Sequence, residues 1–136
     1  MAAKVFVDTN ILMDLLCHRD HMMEAATIID MGKRGEVELF CTALTIANCI
    51  YNCRKTLGKE IVHQIMKSLC TFIRVSPIGQ NESDKAFLIE NPDFEDALQN
   101  FSAESIHADV IITRNPKHFR YSSIPVMSGA EYLEQL

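Results

Sequence analysis

At 136 residues, 48% hydrophobic and 23% charged, the chain is long enough for one compact core and carries no disorder signature. Its formal net charge of −5 argues against a general nucleic-acid coat, which would be basic. No apolar run approaches the ~20 residues that span a bilayer, and the N-terminal stretch lacks the layout of a signal peptide, so a soluble cytoplasmic protein without membrane association is expected.

The run "KVFV" at 4–7 suits a strand buried on both faces, and helix formers fill 11–16. Asp20 is expected to cap the next helix, in which Met22, Ala25, Ala26 and Ile29 recur at helical spacing until Gly32 or Gly35 ends it. "VELFC" at 37–41 reads as a second strand. Thr42 or Thr45 caps a helix carrying Ile46, Cys49, Ile50 and Cys53, which Gly58 stops. Residues 59–72 repeat the helical pattern with Ile61, Ile65, Met66, Leu69 and Phe72, and "FIRVSPI" gives a strand that exits at Pro77. A helix is expected over 81–90, and "NP" at 91–92 interrupts the chain. Phe94, Ala97, Leu98 and Phe101 then form an i, i+3, i+4, i+7 stripe. "DVIIT" at 109–113 reads as a central strand and "IPVMS" at 124–128 as a short last one. Ser128 with Glu131 makes a capping box for the terminal helix. Strands alternating with helices predict one α/β domain over 1–136, with a mostly parallel sheet of four or five strands and 4–7 beside 109–113 at its centre.

Five cysteines, Cys17, Cys41, Cys49, Cys53 and Cys70, show no CxxC spacing and support neither a disulfide framework nor a zinc ribbon. Cys49 and Cys53 read as small core residues. "CHRDH" places Cys17, His18 and His21 together, but a fourth metal ligand is not apparent. Two basic groups, Arg114, Lys117 and Arg120 around His118, and Arg54, Lys55 and Lys59, are each read as solvated surface when taken alone.

In such a sheet, ligands bind beyond the carboxyl ends of the strands. Asp8 lies at such an end, where a carboxylate is either a helix cap or a ligand for a cation. Three stretches should converge there: "VDTN" with Asp8 and Asn10; "NPDFEDAL" with Asp93, Glu95 and Asp96; and "ADVIITRN", with Asp109 before its strand and Arg114 and Asn115 after it. Asp93 and Asp96 share one helical turn, where they could equally be a cap and a complement to the helix dipole. Several carboxylates side by side become tolerable around a divalent cation, which phosphodiester hydrolysis uses to activate water and stabilise phosphate charge. A strand-end aspartate also begins haloacid-dehalogenase-like phosphatases, but the second aspartate they need is Asn10 here. No Gly-rich phosphate loop exists.

With "VFVDTNILMDLL", "FEDALQNFSAES" and "DVIITRNPKHF" in this order, the chain resembles the PIN-domain family, which includes the VapC-type toxin ribonucleases, over essentially its whole length. The resemblance implies a three-layer α/β/α fold and a metal-dependent endoribonuclease, with Asp8, Asp96 and Asp93 as catalytic carboxylates. Asp8 and Asp96 would hold Mg²⁺ or Mn²⁺, with Asn48 and Asn115 completing the shell. Asn10, Thr113, Arg114 and Lys117 would shape the pocket and contact the substrate. RNA, an inhibitory antitoxin protein and a second copy of the chain are the implied partners. Three positions depart from the usual pattern: Asn48 replaces a glutamate, as in one branch of the family, Asn115 an aspartate, and His118 a frequent aspartate. Amide oxygens can still ligate a hard cation but add no charge, so weaker metal binding is expected. The alternative is a degenerate PIN fold that binds RNA or a protein without catalysis.

Overall fold

Val5, Phe6 and Val7 are fully enclosed, as a strand without a solvent face must be. They belong to β1 (Ala3–Val7), the middle strand of the sheet seen in the computed structural model, which describes residues 2–90 and 93–136. The interruption expected at 91–92 lies outside the described residues. Among those residues five strands form one all-parallel sheet, ordered β3-β2-β1-β4-β5. The other four are β2 (Val37–Thr42), β3 (Ile73–Ser76), β4 (Val110–Ile112) and β5 (Val126–Met127). Val5 sits in register with Leu39 of β2 and Val110 of β4, so the expected central pair is adjacent.

Side-chain alternation divides the core. Val5 and Val7 face α1 (Thr9–Leu16), α2 (Met22–Lys33), α3 (Ala43–Leu57) and α4 (Lys59–Leu69), packing with Leu12, Ile28, Cys49 and Met66. Phe6 faces the other way, onto Phe40, Ile111, Ala103 of α6 (Phe94–Ser105) and Phe119 of a 3₁₀ turn at Pro116–Phe119. α5 (Gln80–Ala86) packs on α6, and α7 (Gly129–Glu134) packs on α2. The result is the three-layer α/β/α arrangement. No helix among the described residues is long and apolar enough to cross a membrane.

The caps fall largely where the residue types demand. The Thr42 hydroxyl accepts the Thr45 N–H (3.1 Å) at the start of α3, and Ser128 and Glu131 exchange both capping-box bonds before α7. Asp20 does not cap α2. The turn that precedes it is closed by backbone, with the Met22 N–H donating to the Arg19 carbonyl (2.9 Å), and His21 takes the cap position without a side-chain bond. Gly32 does not end α2 either. A Cβ there would fall 2.1 Å from Leu39 Cδ1, so the missing side chain lets α2 lie close on β2, and Gly35 (φ +79°) makes the turn beyond. Two apolar stripes are narrower than expected: Ile61 and Phe94 are exposed, while Val62 and Ala97 take the buried positions. The helix expected over 81–90 is the shorter α5.

Candidate functional site

Asp8 follows β1 and stands at the cap position of α1, yet its carboxylate makes no capping bond. It is only 5% exposed, and each of its two oxygens accepts a side-chain hydrogen bond. The Thr113 hydroxyl, just past β4, donates to Oδ2 (2.9 Å), and Gln99 Nε2, from α6, donates to Oδ1 (3.3 Å). The Asp8 side chain therefore does not serve α1 as a cap. Burial pushes its carboxyl above the usual range, Asp93 adds to the rise, and the Thr113 and Gln99 bonds oppose it.

Gln99 has no counterpart among the sequence expectations. It is buried, takes the Thr42 hydroxyl on Oε1 (2.5 Å) and donates through Nε2 to the Thr45 hydroxyl (2.7 Å) as well as to Asp8. Thr45 also meets the Thr9 hydroxyl at 2.8 Å. This one amide thus ties the starts of α1 and α3 to α6. Its only sequence signal is its place one helical turn after Asp96.

Asp93 caps α6, its carboxylate accepting the Asp96 N–H (3.2 Å), while Asp96 points at the same cleft as Asp8. Desolvation and the charges of Asp8 and Asp93 raise the Asp96 carboxyl to about 6, against the pull of His118, whose Nδ1 lies 3.4 Å from Oδ2. Asn48, on α3, donates to Glu95 Oε1 (3.4 Å) across the opening. The cleft has a volume of about 620 Å³, and Asp8, Asn10, Asn48, Asp93, Asp96 and Asn115 all line it.

Other expected site residues stand elsewhere. Thr113 lies buried beneath Asp8 as its hydrogen-bond donor. Arg114 turns away from the cleft and pairs with Asp14 Oδ1 (3.1 Å), a fully buried carboxylate on α1. Lys117 is exposed on the 3₁₀ turn and does not line the cleft. The arginine on the cleft wall is Arg19, which the sequence did not single out. Asp109 is at the far end of β4, where it accepts the Lys4 N–H (2.8 Å). The "CHRDH" side chains diverge, with His18 on Met22, His21 on Glu24 and Cys17 facing Cys53.

A model of the PIN-domain family matches residues 4–117. The chain belongs to the PIN-domain family. Solved structures similar to this PIN domain include a toxin–antitoxin complex from Klebsiella pneumoniae (20% identity, TM-score 0.71, covering 92% of this chain and 97% of that one). DNA-bound VapBC from Salmonella typhimurium is another (17%, TM-score 0.68, 93% and 98%). A third is a sarcin–ricin-loop-cleaving VapC toxin from Mycobacterium tuberculosis (14%, TM-score 0.61, 79% and 86%). At these identities the likeness is one of fold. No curated protein sequence matches the chain.

The donors of this PIN domain's cleft suit a hard cation. Asp8 and Asp93 raise the protonation of Asp96, so their charges stand together at a cost that a cation would relieve. The cleft also presents the amide side chains of Asn10, Asn48, Asn52 and Asn115, whose oxygens suit a hard, oxygen-seeking cation. Among the described residues no group of three or more His, Cys, Asp or Glu side chains is placed to hold a metal ion. A cation here would rest on one or two carboxylates with amide oxygens and water.

The raised Asp96 carboxyl has a consequence for stability. Its folded value of about 6 exceeds the ordinary 3.8, so the stability it contributes is present below pH 3.8 and is lost as pH rises through about 6. Asp96→Asn should therefore stabilise the metal-free protein at pH 7 by on the order of 2 kcal/mol, raising its melting temperature, and leave it little changed near pH 4. Thermal melts of both proteins from pH 4 to 8 in chelator check this. A variant that melts lower than wild type at pH 7 contradicts it.

Proposed function

We propose that this PIN domain, taken as a single unit over 1–136, is a cytoplasmic, Mg²⁺- or Mn²⁺-dependent endoribonuclease acting as the toxin of a toxin–antitoxin pair. The observation that carries the reading is the meeting of Asp8, Asp93 and Asp96 in one polar cleft at the carboxyl edge of a parallel sheet. The solved relatives that are toxin–antitoxin complexes, and the one that cleaves a sarcin–ricin loop, support the partner and the substrate class.

Asp8 and Asp96 would hold the cation, with Asp93, Asn48 and Asn115 contributing oxygens directly or through water. When bound, the cation lowers the pKa of a water and stabilises charge on the scissile phosphate. The chain's own residues do the rest. Thr113 and Gln99 fix the Asp8 carboxylate so that its orientation is set before substrate arrives. His118 steadies Asp96. Asn10 shapes the floor, and Arg19 supplies the positive charge for a backbone phosphate that Arg114, engaged with Asp14, does not. Exposed Phe87 and Leu88 offer apolar surface for protein contact, in keeping with an antitoxin and a homodimer as partners.

The neutral Asn48 and Asn115 favour one second reading, a PIN fold that binds RNA or a protein without cutting. Incubating the purified chain with mixed-sequence RNA in Mg²⁺, in Mn²⁺ and in chelator separates the two. Discrete fragments in metal alone are expected, and intact RNA in all three would favour the binding module. Asn48→Glu should lower the half-saturating metal concentration for cleavage by about tenfold, because a carboxylate adds charge where an amide adds none. It should also lower the melting temperature of the metal-free protein, since the amide that now donates to Glu95 becomes a carboxylate facing it. An unchanged metal requirement would place Asn48 outside the shell.

A further inference from the structure

Cys17 closes α1 and Cys53 lies in the last third of α3, and their sulfurs are 3.3 Å apart. Cys53 is buried against Met13 (Sγ to Sδ 3.7 Å), whereas Cys17 is half-buried and lines the cleft, where a small solute reaches it. We propose that Cys17 and Cys53 are a redox-responsive pair, which a low-molecular-weight disulfide such as glutathione disulfide converts into an internal disulfide tying the end of α1 to α3. The Cys17 sulfur attacks one sulfur of the small disulfide, and the departing thiolate takes up the Cys17 proton. Cys53 then attacks the Cys17 sulfur of the mixed disulfide, and a second small thiol leaves with the Cys53 proton. Two protein thiols and one small disulfide thus give one protein disulfide and two small thiols.

The order of attack follows from access, because Cys17 is half-buried on the cleft while Cys53 is enclosed, and burial pushes the Cys53 thiol up to about 11. A disulfide bond is about 2.05 Å long, so the sulfurs must close by little more than 1 Å. The Cys17 side can supply that movement. It is followed by His18 in the left-handed region (φ +49°) and by an exposed turn rather than by helix. The bond would hold a part of the cleft that Arg19 and, on α3, Asn52 and Thr56 also line. Its formation does not depend on what the cleft binds or cleaves.

The test treats the full chain with glutathione disulfide and reads intact mass, peptide linkage and melting temperature. The result expected is a loss of two hydrogens, a digest in which the Cys17 and Cys53 peptides are joined, and a rise in melting temperature of roughly 5–10 °C that dithiothreitol reverses. Cys17→Ser should lose all three effects, and Cys70→Ser should keep them. A stable glutathione adduct at Cys17 without a cross-link, a bond between other cysteines, or an unchanged response in Cys17→Ser would overturn the proposal. The linkage is mapped on the unmodified sequence, so the outcome does not hang on any variant folding.

Discussion

Asp8→Asn is expected to reduce RNA cleavage by about a thousandfold while raising the melting temperature of the metal-free protein by a few degrees. On the proposed metal role, the loss would arise because an amide adds no charge to a cation that Asp8 and Asp96 would hold. The gain arises because the ionised Asp8 carboxylate is buried and faces the charge of Asp93. Asparagine is close to isosteric. Its oxygen can still accept from Gln99, and the Thr113 hydroxyl, which both donates and accepts, can receive its amide. The sign follows from the raised carboxyl of Asp8, whose favourable share of stability is present below 3.8 and lost as pH climbs through the folded value. The stabilisation by asparagine should accordingly grow with pH and vanish in acid. Cleavage rates and melts recorded side by side check both halves. An inactive variant that is also less stable than wild type would mean that Asp8 serves the fold rather than the chemistry.

Gln99→Leu should cost roughly 3 kcal/mol, a drop in melting temperature of about 10 °C. Leucine has nearly the right volume, so the loss is one of hydrogen bonds rather than of packing. The Thr42 hydroxyl loses its nearer acceptor and keeps only Thr45 Oγ1 at 3.4 Å, Asp8 Oδ1 loses a donor, and the Thr45 hydroxyl loses its shortest partner, all in a buried setting. Removing the Gln99 donor should also push the Asp8 carboxyl higher still, moving the acid limb of any cleavage profile to higher pH. Gln99→Glu keeps the size but sets a charge against Asp8, so its destabilisation should be greater at pH 7 than in acid. Urea unfolding at two pH values distinguishes these effects. If Gln99→Leu unfolds at the wild-type urea concentration, the amide is not the tie between α1, α3 and α6.

The architecture is largely legible in the sequence, for a physical reason. Whether a strand is buried on both faces, and whether Ser128 can bond back from Glu131, are decided within a few residues of chain, where periodicity and residue type carry the information. The same locality explains the misses. Ile61 and Phe94 fit a helical stripe, yet the neighbour that would cover each is set by how α4 and α6 lie on the sheet. Asp20 was a good cap in isolation and was displaced by a backbone turn. At the site, the meeting of Asp8 with Asp96 followed from where strand ends and helix starts fall in a parallel sheet. Long-range polar partnerships did not. Nothing near Arg114 announces that it pairs with Asp14, and nothing near Gln99 announces Asp8, Thr42 and Thr45. A polar side chain on a helix looks the same in sequence whether it faces water or three buried hydroxyl and carboxyl groups.

Calorimetric titration of Mn²⁺ into the metal-free wild-type protein and into Asp8→Asn tests the central claim most directly, because it asks whether the acidic cleft is a cation site without relying on any RNA. The result expected is a saturable site in wild type, with heat of binding lost in the variant at the same millimolar concentrations. Equal binding by both proteins, or RNA cleavage by a wild type that binds no metal, would contradict it.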